Sequence, residues 1–213
     1  MNKALFFVPI FLIIIVCVPL LIYKANTLPE PTGEASGEID IFREPVQELY
    51  EGEKFIHVVD NFQYTIEPVA TYAIWCRVAS KKNYYNTLEN KLSPLDLCVV
   101  WGDLAEPENL QYVHFFQGNR CCNYTYDRNI PLDDSYVISH GANMHIIPAT
   151  ENVMKAVKSI KNGQTIYLEG YLVRVYKYDR YIWGTSLERT DTGSHACEVF
   201  YVTRVGIGTV IYE

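Results

Sequence analysis

The stretch from Gln164 to Val205 most constrains what this chain can fold into. Two runs rich in β-branched and aromatic residues, Thr165 to Tyr176 and Cys197 to Val205, flank the densest polar segment of the sequence, Thr185 to His195. Such runs fit a pleated, half-buried surface. The first run also carries a parity signal. Before Gly170 the apolar positions are even, Ile166 and Leu168 against Glu169. After it the cleaner apolar positions are odd, Val173 and Val175 against Arg174. A switch of face at a glycine predicts a bulge or a sharp bend in one long strand. Bends of this kind occur in small curved barrels such as the OB-fold. The competing reading is a glycine that only weakens a straight strand.

Other segments read as strands too. Phe62 to Glu67 alternates strictly, and Tyr72 to Val78 is apolar on both faces apart from Arg77. Tyr112 to Gln117 and Tyr124 to Tyr126 flank the turn-like Gly118-Asn119-Arg120. His140 to Pro148 reads as a loop entering a short strand. Leu97 to Trp101 fits strand or helix equally. Pro45 to Tyr50 suggests one helical turn with Pro first, and Ser93-Pro94 suggests a capped helix start.

One helix is clear. Thr150 caps it, Glu151 sits at its positive end, Val153, Met154, Val157 and Ile160 form an apolar stripe, and Gly163 closes it. The expected fold is mainly β, a barrel, an OB-like barrel or a sandwich, with one covering α-helix and an amino-terminal transmembrane helix.

That transmembrane expectation rests on Ala4 to Tyr23, twenty residues without a charge. At about 1.5 Å per residue they span about 30 Å, the thickness of a bilayer core. No Ala-x-Ala pattern follows, which favours an uncleaved anchor over a signal peptide. The expected division is 1–23 anchor, 24–40 a linker rich in Pro, Gly, Glu and Ser, and 41–213 a β-rich domain. Lys3 before the span favours an amino terminus inside and the domain outside the cytoplasm. Setting aside Lys3 leaves 17 basic against 25 acidic residues beyond the span, a net −8. That sign opposes nucleic acid as a partner. The expected partners are the membrane, through the amino-terminal helix, and a protein of the cell envelope.

Of six cysteines, Cys17 lies in the span. Cys76 and Cys98 sit in apolar runs, where a small buried thiol is the default. Cys121 and Cys122 are adjacent, and either is able to pair with Cys197. The sequence leaves that choice open.

Chemistry has few candidates. Asp191-Thr192-Gly193 matches the aspartic-protease tripeptide, but that chemistry needs two carboxylates sharing a proton and one copy is present. A turn in which Asp191 bonds nearby backbone explains it as well. His140, His145 and His195 are the candidate metal ligands, provided two loops converge; structural histidines are the bland alternative. A nucleophilic site would draw on Ser139, Ser186, Ser194 or Cys197, none of them in a Gly-x-Ser-x-Gly elbow. His145, Arg189, Asp191 and His195 are the catalytic candidates if the 140–145 and 185–198 loops form a hydrolase site. No cofactor is expected. Seventeen tyrosines and three tryptophans, with Tyr167, Tyr171, Tyr176, Tyr178, Tyr181 and Trp183 on or near the hairpin, suit protein or carbohydrate contacts. They suit packing of a small β core equally.

The segments Leu92 to Gly102, Asn143 to Ala149, Gly163 to Val173 and Trp183 to Glu198 resemble an uncharacterised family of bacterial proteins with one amino-terminal membrane span. The resemblance implies a bacterial envelope location and carries no activity. The expected function is a non-catalytic interaction module of the envelope, with a metal- or Ser/His-assisted hydrolase as the alternative.

Overall fold

The computed structural model describes residues 28–213 except 36, 86, 189, 192, 194 and 195. The expected span 4–23 therefore lies outside the described residues. Among those described, no helix is long and apolar enough to cross a membrane.

The fold is mainly β. In chain order the strands are β1 (Gly33–Glu34), β2 (Val46–Leu49), β3 (Phe55–Val59), β4 (Phe62–Asn83), β5 (Leu95–Val100), β6 (Val113–Gly118), β7 (Cys121–Tyr126), β8 (Gly141–Pro148), β9 (Thr165–Lys177), β10 (Arg180–Gly184), β11 (Glu198–Ile207) and β12 (Val210–Tyr212). The helices are α1 (Leu88–Leu92), α2 (Pro107–Leu110), α3 (Asp134–Ser139) and α4 (Glu151–Ser159). Strands β6 and β7 form a separate hairpin, and the others join one ten-stranded sheet.

Within that sheet the pairings of five strands return to their start. β4 pairs with β5, β5 with β8, β8 in parallel with β11, β11 with β9, and β9 with β4. All five contribute to one core cluster, including Ile74, Leu97, Ile146, Leu168 and Phe200, and α4 adds Val153, Ala156 and Val157. The cap of α4 forms as its sequence predicts: the Thr150 hydroxyl accepts from Val153 N at 3.1 Å. At the other end Lys81 Nζ donates to the carbonyls of Lys158 and Ile160, satisfying groups the helix itself leaves open.

The switch of face expected at Gly170 is corrected: β9 keeps its parity through the glycine, even positions facing one core and odd positions another. Ile166, Leu168 and Leu172 enter the first core, while Val173 and Val175 enter a second one with Tyr64, Ile66, Val199 and Tyr201. The register shifts lie in its two neighbours and not in β9 itself, between Pro68 and Ala70 and between Val202 and Arg204. A Cβ on Gly170 would collide with the Tyr201 carbonyl oxygen, so only glycine permits this approach.

Several local expectations are corrected. Residues 46–49 are strand, not a helical turn, because they pair with the open edge of β4 at Ala70–Ala73. The Ser93-Pro94 start is likewise overturned: the helix ends at Leu92, and fully buried β5 begins at Leu95 between β4 and β8. Tertiary pairing on both edges overrides the local cap signal. Part of the segment expected as a linker joins the sheet: β1 pairs with β12, and Glu30 exchanges two hydrogen bonds with the Asn152 side chain.

Candidate functional site

Register builds the site. On neighbouring β5 and β8, Asp96 lies opposite His145 and Cys98 opposite Asn143. A polar ladder thus runs beside the apolar one that fills the first core, because successive side chains point to opposite faces.

The β6–β7 hairpin comes down on this ladder. Its two-residue turn, Asn119-Arg120, has φ of 50° and 62°, the left-handed pair of a type I′ hairpin. The turn delivers Arg120 into a pocket of acceptors. Its Nη1 donates to Asp96 Oδ1 at 2.8 Å, and its Nη2 to Asn90 Oδ1 at 3.0 Å and to the Ser93 carbonyl at 2.6 Å. The guanidinium lies 4.2 Å from the Tyr84 ring centre and 5.3 Å from that of Trp183. Two residues further, Cys122 is bonded to Cys98. The buried-thiol expectation therefore fails for Cys98 and holds for Cys76, whose thiol pKa burial pushes far up.

His145 closes the network from the other side. Its Nδ1 lies 2.8 Å from Asp96 Oδ1, so the carboxylate places the proton on Nδ1. Trp183 stands over the imidazole, ring centres 4.5 Å apart. The Tyr84 phenol pKa is held up by burial first and then by the neighbouring Asp96 charge. Among the described residues no hydroxyl or thiol is hydrogen-bonded to His145. The Asp96–His145 pair thus resembles half of a catalytic relay with Arg120 already neutralising its carboxylate.

Above the ladder lies a cavity of about 320 Å³. Its walls are mostly apolar, with Leu104, Val113, Phe115 and Val137 among them. Its polar lining includes Asn143, Asp191 and Glu198, together with the thiols of Cys121 and Cys197. Asn143 Nδ2 donates to the Arg120 carbonyl at 2.9 Å and approaches Cys197 Sγ at 3.2 Å. The carbonyl acceptor fixes which way the amide points, which leaves Asn143 Oδ1 as a buried acceptor with no partner among the described residues.

The other predicted residues separate. His140 ends α3, stacks on Tyr136, and sets its Nε2 3.1 Å from Glu44 Oε1. It shares no hydrogen bond with His145. Asp191 accepts from the Ser186 hydroxyl at 2.6 Å, which ties the polar loop to itself. Arg189 and His195 lie outside the described residues. Among the described residues no group of three or more His, Cys, Asp or Glu side chains is placed to hold a metal ion. Sequence reasoning missed Asp96, Arg120 and Asn143. The signal for the first was present in the alternation of Asp96 and Cys98 along Leu95–Val100. No family model, curated protein or solved structure matches the chain.

Proposed function

We propose that this chain is a non-catalytic binding module, tethered through its apolar amino terminus, whose ligand enters the cavity beneath the β6–β7 hairpin. The observation that carries the reading is the mostly apolar cavity itself, with Asn143, Asp191 and Glu198 as polar groups in its lining. At about 320 Å³ the cavity matches the small end of ligand pockets. The ligand is therefore a compact apolar body bearing a hydrogen-bond donor. An ammonium suits best, because the Asp191 and Glu198 carboxylates line the same space.

The five mutually paired strands around the first core, with one helix packed against it, support the mainly β reading of the domain. The Cys98–Cys122 bridge supports an oxidising compartment, as expected of a domain held outside the cytoplasm.

Thermal unfolding of the full chain in detergent, with hexylammonium and with hexanol, tests the reading. Hexylammonium raises Tm saturably, hexanol raises it less, and Ala196→Trp, which fills the cavity from its loop side, removes both responses. No response of the wild-type protein to either compound refutes it. The second reading, a hydrolase, draws on the Asp96–His145 pair. Turnover of an activated ester that His145→Ala abolishes would favour it instead.

A further inference from the structure

We propose that Cys121 and Cys197 are a redox-closable pair that joins into a second disulfide and straps the β6–β7 hairpin across the cavity. Three observations converge. The two free thiols line the same cavity from opposite elements, Cys121 at the start of β7 and Cys197 just before β11. Asn143 Nδ2 binds Cys197 Sγ and also the Arg120 carbonyl, which begins the peptide leading to Cys121. The pair is therefore held around a single side chain. Cys122, the neighbour that would compete for either thiol, is already committed to Cys98. Burial is the main cause that raises the Cys197 thiol pKa, and the nearby Cys121 adds to it.

The oxidant is a low-molecular-weight disulfide. The Cys121 thiolate attacks one of its sulfurs and expels a thiolate, giving a mixed disulfide. Cys197, losing its proton, attacks the Cys121 sulfur and expels the second thiol, which takes up that proton. Two electrons pass from the protein pair to the external disulfide, which leaves as two thiols. The Cys98–Cys122 bond is untouched. Cys76, fully buried in the first core, takes no part.

Closure of the cavity rests on the binding reading above; formation of the bond does not. The test uses the full chain in detergent, incubated with glutathione disulfide, then denatured and alkylated. The expected result is a loss of two hydrogens from the intact mass, two fewer alkylated thiols, and a non-reducing peptide map that joins the Cys121 and Cys197 peptides. Cys121→Ser abolishes all three and keeps Cys98–Cys122. A persistent glutathione adduct on either residue, or Cys197 joined to Cys98 or Cys122, overturns the proposal. After oxidation, hexylammonium no longer shifts the Tm of the wild-type protein but still shifts that of Cys121→Ser. A formed bond with an unchanged shift overturns the closing role. No shift even in the reduced protein overturns the binding reading and leaves the bond to be judged by mass alone.

Discussion

Asp96 Oδ1 lies 2.8 Å from His145 Nδ1 across directly paired positions of β5 and β8, and both side chains are almost wholly buried. The same oxygen takes a second donor, Arg120 Nη1, at 2.8 Å. A carboxylate this deep is tolerable only because charge and hydrogen bonds meet it there. The pair is thus the anchor to which the hairpin, and with it one wall of the cavity, is fastened.

Removing one member of this network strands the others. Arg120→Met leaves Asp96 without its positive partner and lowers stability by about 3–5 kcal/mol, read as a fall in Tm. The double variant Asp96→Leu/Arg120→Met loses less than the sum of the two single losses, because the stranded charge is gone. Additive losses in a double-mutant cycle contradict the coupling.

Gly170→Ala places a methyl group against the Tyr201 carbonyl. Overpacking against backbone costs about 3 kcal/mol or more. Gly118→Ala, whose added Cβ meets nothing within 4 Å, changes stability by less than about 0.5 kcal/mol. Equal Tm values for the two variants would remove the close approach of β9 and β11 from the account.

Gly170 was also the most informative residue in the sequence. The apolar residues on both parities around it announced two buried faces, and Thr150 to Gly163 announced the helix that packs on the first core. The site was far less legible. Ser93-Pro94 imitates a helix start, and that local signal hid the alternation that puts Asp96 and Cys98 on one face of a strand. Arg120 looked like a turn residue because a turn is where it sits. Its role comes from a positive φ and from acceptors 24 to 30 positions away in the chain. His140 and His145 read as members of one loop, yet one ends a helix beside Glu44 and the other lies inside a strand facing Asp96.

The Cys98–Cys122 bridge, with a sequence separation of 24, ties the hairpin to β5. By loop-closure entropy it contributes about 3 kcal/mol. Cys98→Ala/Cys122→Ala therefore lowers the denaturant midpoint by the equivalent of that energy. An unchanged midpoint would mean that the bridge adds nothing to the Arg120 anchor.

Burial pushes the Cys197 thiol up to about 11, against a weaker opposing pull from the Asn143 hydrogen bond. A raised thiol pKa keeps most of the group protonated near neutrality and slows its attack on an external reagent, since the thiolate is the nucleophile. Its alkylation by iodoacetamide, followed by mass spectrometry of the native protein, still climbs about tenfold per unit between about pH 9 and 10. A plateau reached by about pH 9 contradicts the buried environment described for it.

The central claim is that the cavity takes a donor-bearing ligand beside Asn143, Asp191 and Glu198. The most direct measurement is the Asn143 side-chain amide resonance of the full chain in detergent during titration with hexylammonium. The account predicts a saturable shift of both Nδ2 protons that Ala196→Trp abolishes. A titration that leaves Asn143 unmoved while shifting resonances of the exposed β10 edge around Tyr181 and Ile182 would contradict it.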